Sequence, residues 1–354
     1  MTPLTIAVLA DPDLPVPPRL YGGIERVIYL LVEGLVERGH HVSLFAHRDS
    51  QTSATLYPYP RTESISALGL GLNALAVARR LLTRQLDVLH SFGRLNTIAP
   101  LAWTRSRKFM SYQREITRAS IERATRIFGS RLEFTACSRH MIQPVRDLGR
   151  WHVIYNAVSM AAYTCQPHVD AEAPLVFLGR IESIKGTHAA VQVARRSGRR
   201  LIIAGNIADQ AYFDRDVRPF VDGERIRYVG PVDDAAKNTL LGSASALLMP
   251  IDWDEPFGIV MAEALACGTP VVGFARGSVP EVVIDGVTGW IVDDVAAMTA
   301  AVGRLNAIDR RACRADAEQR FSATAIVDQY ETLYRGNAVA LDAAPLSSQV
   351  QSLS

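Results

Sequence analysis

The chain has 354 residues, 48% of them hydrophobic, and a formal net charge of +2. That length supplies two domains of ordinary size, and so small a net charge implies no global polyelectrolyte partner, so no nucleic acid is expected. Four scattered cysteines, Cys137, Cys165, Cys267 and Cys313, form no C-x-x-C pair. They predict buried thiols in a reducing, cytoplasmic setting rather than a disulfide framework or a zinc site. The start, MTPLTIAVLADPD, lacks a basic segment and its apolar run ends at Asp11, so it does not read as a signal peptide. No apolar run reaches the ~18 residues that a transmembrane helix requires.

Thr5 to Ala10 reads as a buried strand, followed by a loop rich in Pro and Gly. Ile24 to Arg38 has the period of an amphipathic helix that Gly39 ends, and Val42 to Ala46 is the next strand. Strand, glycine loop, helix, strand is a βαβ unit. The pair Gly22-Gly23 lets backbone approach a phosphate just before a helix, although its spacing misses the G-x-G-x-x-G fingerprint. Glu25 fits a first-turn acid favoured by the helix dipole. A helix over Leu68 to Arg84 precedes the short strand Asp87 to His90. Active groups in open α/β sheets gather at the carboxyl ends of strands, which makes His90 either a site residue or a structural one.

The stretch from Arg105 to Arg131 is markedly basic: Arg105, Arg107, Lys108, Arg114, Arg118, Arg123, Arg126 and Arg131 face mainly Glu115 and Glu122. It reads as a solvated helix face or as a docking surface for an anionic acceptor or bilayer. Phe134 to Ser138 is the last strand of the first domain, and Trp151 to Asn156 leads into a linker. The second domain opens after Pro167 to Pro174 with the strand Leu175 to Leu178. Arg180 and Lys185 follow it, flanked by Gly179 and Gly186. Thr187 to Arg196 is a helix, Leu201 to Ala204 a strand ending at Gly205, Ile226 to Gly230 a strand before Pro231-Val232, and Lys237 to Ser243 a helix.

The centre of the second domain is LLMPIDWDEPFGIVMAEALACGTPVVG, Leu247 to Gly273. A buried strand stops at Pro250, a polar loop follows, and a helix is expected to open at Pro256, where a missing N–H costs nothing. Gly268 caps that helix and Val271 begins another strand. Glu255 and Glu263 are eight residues apart, roughly 12 Å along a helix axis, about the span from ribose to hexose in a sugar nucleotide. Free N–H groups of Phe257, Gly258 and Ile259 at the helix start would suit the diphosphate between them. Arg310 to Gly336 reads as one long helix with a stripe of Phe321, Ile326, Val327, Tyr330 and Tyr334. The Ala-, Ser- and Gln-rich residues from Asn337 to Ser354 predict a disordered tail.

The segment EPFGIVMAE, with ALACGTPVVG and GSVPEVVIDGVTGWIV after it, resembles the E-x7-E element and the next two segments of the retaining glycosyltransferases of family 4. The resemblance runs to about Gly336, strong from Leu175 to Val292 and loose between Gly93 and Glu133. It implies a GT-B α/β fold: two Rossmann-like domains facing a central cleft, with a C-terminal helix crossing back to the first. The implied parts are an acceptor-side domain over 1–155 with the returning helix near 321–336, and a donor domain over 156–320. By the same resemblance Arg180 and Lys185 neutralise the donor diphosphate, Glu255 holds sugar hydroxyls and Glu263 holds the ribose. Gly22 and Gly23 face the phosphates, and Gly205 and Val232 border the nucleotide. The family often has H-x-H where this chain has His90-Ser91-Phe92, so Phe92 replaces an imidazole with a ring that can only pack. The usual N-G-V-D of the linker stands here as Asn156-Ala157-Val158-Ser159.

The implied activity is transfer of a sugar, with retention, from a nucleoside-diphosphate-sugar to a hydroxyl of a glycan, lipid-linked sugar or small molecule. Three D-x-D triplets occur, at Asp11-Asp13, Asp214-Asp216 and Asp252-Asp254, the pattern that holds a divalent ion in other glycosyltransferases. Arg180 and Lys185 already offer diphosphate neutralisation and would repel a metal, so no cofactor and no essential metal is expected. Two rival readings are a sugar-nucleotide epimerase or hydrolase, and a non-catalytic sugar-nucleotide-binding paralogue. The first needs an acid/base pair that Glu255 alone does not supply. Phe92 is the one feature that favours the second. A cytoplasmic protein, peripheral at the inner membrane face through 105–131, is the expected location.

Overall fold

The computed structural model describes residues 2–18, 22–62 and 66–337. It divides into two compact units, one running to Ala157 and resuming at Ala323, the other spanning Val158–Ser322. Of the expected tail, everything beyond Asn337 lies outside the described residues.

The first unit is built on a seven-stranded parallel sheet: β1 (Thr5–Leu9), β2 (His41–Ala46), β3 (Thr55–Pro58), β4 (Val88–Ser91), β5 (Arg107–Tyr112), β6 (Leu132–Ala136) and β7 (Trp151–Val153). Its order is β3-β2-β1-β4-β5-β6-β7. The central β1 is an apolar run with Ile6, Ala7, Val8 and Leu9 fully buried, as a strand covered on both faces requires. Helix Gly23–Glu37 buries Val27, Ile28, Leu31, Val32 and Leu35, one stripe at helical spacing. Helix Ala323–Tyr334 returns to the same core with Ile326, Val327, Tyr330, Leu333 and Tyr334.

Besides β3, which lies outside the expected elements, and β7, which makes Trp151–Val153 rather than Phe134 to Ser138 the last strand of the first unit, two features differ from the expected pattern here. β5 runs through the basic stretch, so that stretch is not one helix face. Lys108 is buried within it, its ammonium donating to the carbonyls of Thr104 and Ser106 at 2.6 and 2.9 Å, and burial pushes its pKa down to about 8. Arg107 bonds Glu133 at 2.8 Å and Arg118 bonds Asp147 at 2.8 Å. A charged start, Arg107-Lys108, disguises β5 in the sequence, but Phe109, Met110 and Ser111 after it are buried. The second difference is a break in the expected long helix. Helix Arg310–Phe321 ends at Ser322, whose backbone is extended (ψ 150°), and Val158 donates to the Phe321 carbonyl at 2.8 Å. Phe321 therefore belongs to the second unit, and the helix that starts at Ala323 to the first.

The second unit holds a six-stranded parallel sheet: β8 (Leu175–Leu178), β9 (Leu201–Ala204), β10 (Ile226–Tyr228), β11 (Ala246–Met249), β12 (Val271–Phe274) and β13 (Gly289–Val292). The order is β10-β9-β8-β11-β12-β13. Both sheets thus grow outward to one side from a founding strand and then to the other, with a switch point between β1 and β4 in the first and between β8 and β11 in the second. Crevices at such points, outside the carboxyl ends of the strands, are where open α/β sheets bind ligands.

Candidate active site

Two loops meet at the switch point of the second unit. One follows β8 and carries Arg180, the turn Ser183–Lys185 and Gly186; the other follows β11 and runs from Pro250 to Gly258. They are locked together by backbone. Gly186 sits at φ 74°, where a Cβ would fall 1.8 Å from the Pro250 carbonyl oxygen, so only glycine fits. The Asp252 N–H donates to the Ile184 carbonyl at 2.8 Å. On the far side, Gly277 would place a Cβ 2.3 Å from the Glu255 nitrogen, and Ser278 N–H donates to the Glu255 carbonyl at 3.0 Å.

This clasp brings three side chains together. Lys185 Nζ lies 2.5 Å from Glu255 Oε2, Trp253 Nε1 donates to the same oxygen at 3.0 Å, and the ammonium stands 4.4 Å from the centre of the Trp253 ring. The Lys185 and Glu255 side chains are only 16% and 12% exposed, so their pairing is poorly screened. An ammonium has three protons, and Lys185 retains donors for an incoming anion. Arg180 pairs with Glu182 at 2.7 Å while its side chain stays 40% exposed, accessible to a ligand. Gly205 follows β9, its N–H bonded to the Gly230 carbonyl and its own carbonyl accepting from Tyr228, both at 2.8 Å. Val232 is half-buried just ahead of helix Asp234–Ser243.

The helix after Glu255 starts at Ile259, not at Pro256, and Gly258 precedes it in the left-handed region. Residues 255–258 are held in the clasped loop, so the axial spacing expected between Glu255 and Glu263 does not apply. Phe257 is 2% exposed and meets Phe321 edge-on at 5.6 Å. Its side chain is a core element, and the groups expected at the diphosphate are the backbone N–H groups of Phe257, Gly258 and Ile259 ahead of the helix. Glu263 is 6% exposed, and its Oε1 accepts from Tyr163 Oη at 2.6 Å and from Lys237 Nζ at 2.5 Å. Nothing in the local pattern marks Lys237 or Tyr163, which lie 26 and 100 residues from Glu263. Trp253 is the one missed residue with a local signal: an aromatic two positions before Glu255 in a polar loop.

In the first unit, Gly22 and Gly23 stand at the start of helix Gly23–Glu37. Glu25 is 5% exposed there, and burial pushes its carboxyl pKa up. Asp11, just beyond β1, is likewise pushed up by burial, with Arg94 opposing from 3.9 Å. His90 corrects the expectation of a site role. It is fully buried, Nδ1 is 2.5 Å from Tyr334 Oη and Nε2 is 2.7 Å from Ser111 Oγ. Burial lowers its pKa to about 3, so the ring is neutral and both nitrogens are spent on the interior. Phe92 is 8% exposed and packs on His90 with ring centres 4.4 Å apart. Of the D-x-D carboxylates, three more are engaged by arginines, at Asp214–Arg218 (3.1 Å), Asp216–Arg215 (2.7 Å) and Asp252–Arg276 (3.1 Å).

Two family models tile the chain: Glycosyltransferase Family 4 over residues 21–161 and Glycosyl transferases group 1 over residues 166–321. The two halves of the chain thus match glycosyltransferase families, the first Family 4 and the second group 1. The chain is 37% identical over 137 residues to a glycogen synthase of Mycobacterium tuberculosis, 37% of this chain and 33% of that protein. It is 30% identical over 215 residues to a D-inositol 3-phosphate glycosyltransferase of Xylanimonas cellulosilytica, 58% of this chain and 50% of that one. The chain thus spans a third to a half of the length of these curated relatives. Among solved structures, AviGT4, a glycosyltransferase involved in avilamycin A biosynthesis, matches with TM-score 0.72 and 26% identity over 94% of this chain and 97% of its own. The fold is GT-B.

Proposed function

We propose that this glycosyltransferase moves a sugar from a nucleoside-diphosphate-sugar to an acceptor hydroxyl with retention of configuration and without an essential metal. The observation that carries the reading is the Lys185–Glu255–Trp253 cluster, with Arg180 beside it, at the switch point of the second sheet. Arg180 and Lys185 neutralise the diphosphate as charge develops on it, while Glu255 orders the sugar hydroxyls. Glu263 accepts hydrogen bonds from the ribose, and the Ile259 amide, Gly205 and Val232 line the nucleotide. The bond from the anomeric carbon to the diphosphate oxygen breaks as the acceptor oxygen bonds to the same face. The departing diphosphate oxygen takes the acceptor's proton, so no carboxylate nucleophile is required. Catalysis is then mainly positioning and electrostatics.

The exposed arginines of 105–131, Arg105, Arg114, Arg123, Arg126 and Arg131, add peripheral contact with an anionic bilayer to this reading. A thermal-shift screen against UDP-, GDP-, ADP- and TDP-sugars, followed by a transfer assay on the stabilising donor, tests the activity. A ligand that binds only the native state raises the melting temperature by mass action. No shift with any of the four would overturn the donor assignment. A shift with neither transfer nor hydrolysis would favour the non-catalytic paralogue.

A further inference from the structure

We propose that the first unit carries a bilayer-insertion surface made by the outer face of helix Ala67–Leu81 and by Trp103, and that it docks on an anionic membrane. The inference deepens the peripheral-contact reading and rests on it for the sign of the lipid charge. The helix starts at Ser66, whose Oγ accepts from Gly69 N–H at 2.9 Å. Its inner face, including Ala74, Val77, Ala78 and Leu81, is buried. A surface helix of a water-facing protein is polar on its other side, whereas this one is charged there only in its last turn, at Arg79 and Arg80. Leu68, Leu75 and Leu82 are 71%, 55% and 57% exposed. A spacing of seven is close to two helical turns, so the three leucines form one stripe with steps of roughly 10.5 Å.

Trp103 extends the stripe. It is 80% exposed, and Leu82, Trp103, Arg84 and Arg105 line one open cavity of about 850 Å³. The Arg131 guanidinium stands over its ring at 4.8 Å. An indole flanked by arginines and leucines has the chemistry of the headgroup boundary, where the apolar body sinks and the cations meet phosphates. The charge pattern selects the partner. Residues 66–86 contain Arg79, Arg80 and Arg84 and no acid. Among the described residues no helix is long and apolar enough to cross a membrane, so this face would lie on a bilayer rather than span it.

The test is co-sedimentation of the full chain with vesicles of phosphatidylcholine alone and of phosphatidylcholine mixed with phosphatidylglycerol. The mixed vesicles should retain the wild type, and its tryptophan emission should shift to the blue, a shift that Trp103→Phe removes. Leu75→Asp should weaken the partition by about tenfold or more, since burying one leucine is worth at least that factor. Its melting temperature should stay unchanged because the side chain is in solvent. Equal partition of the wild type and Leu75→Asp, with emission unmoved, overturns the insertion surface and leaves contact through the arginines standing. No retention on mixed vesicles overturns both. A wild-type dimer that Leu75→Asp converts to monomer, without vesicle binding, would assign the stripe to a second copy of the chain and overturn the proposal.

Discussion

The two sheets share a strand order around their switch points, yet the groups at those points have opposite fates. In the second unit Arg180, Lys185 and Glu255 lie beyond the last residues of β8 and β11 and keep partial access to solvent. In the first, His90 lies within β4 and is fully buried. Arg180 lies two residues past its strand, and Glu255 and Lys185 lie six and seven past theirs, whereas His90 is still inside β4. A side chain on the strand proper is committed to one face of a covered parallel sheet, whereas one on the following loop is free to turn toward a ligand. Topology makes a switch point a place for chemistry, and the register of the last strand residue decides which side chain performs it.

The comparison is sharpened most by pH. With His90 neutral in the folded state and near its ordinary pKa of ~6.5 when unfolded, the unfolded chain binds the extra proton first on acidification. Its contribution is present above about 6.5 and is lost as pH falls toward about 3, up to ~5 kcal/mol. Denaturant unfolding across that range should therefore show a steeper loss in the wild type than in His90→Gln. Identical slopes would mean that the ring is not held neutral inside.

The loop residues should behave in the opposite way. Lys185→Ala is expected to lower turnover by about 10²–10³, the usual effect of removing one electrostatic donor from a developing charge, with little change in stability. Turnover within a few fold of wild type would remove Lys185 from the diphosphate. Glu263→Ala should raise the nucleoside diphosphate dissociation constant at least about tenfold, from ~1.5–3 kcal/mol per charge-assisted bond. Lys237→Met should do nearly the same while sparing turnover, and Lys237→Arg should restore affinity, because Lys237 acts through Glu263. Calorimetric titration reads both. Unaltered binding in Lys237→Met would make that pair purely structural.

The smallest effect tests whether Phe92 is core or site. Phe92→His places a polar ring in the cluster around His90 and should cost about 1–3 kcal/mol of stability, measured by denaturation, with no gain in transfer. A large gain with the native donor would return the strand end to the active site.

Some of this was written locally in the sequence. The alternation of short apolar runs with amphipathic segments specified two α/β halves, because a strand buried on both faces must be apolar throughout. Leu175–Leu178 and Leu201–Ala204 are legible to the residue for that reason. The loop positions of Arg180, Lys185 and Glu255 are legible too, since each follows such a run. Tertiary structure alone decided the partners. Lys185 and Glu255 are 70 residues apart, and His90 and Tyr334 are 244 apart. No pattern within a turn or a strand reports such distances. The same limit explains β5, whose charged start becomes acceptable only once Lys108 finds two carbonyls and Arg107 finds Glu133. It also explains the break at Ser322. Helical propensity runs straight through it, and only the burial of Phe321 in one unit and Ile326 in the other bends the chain there.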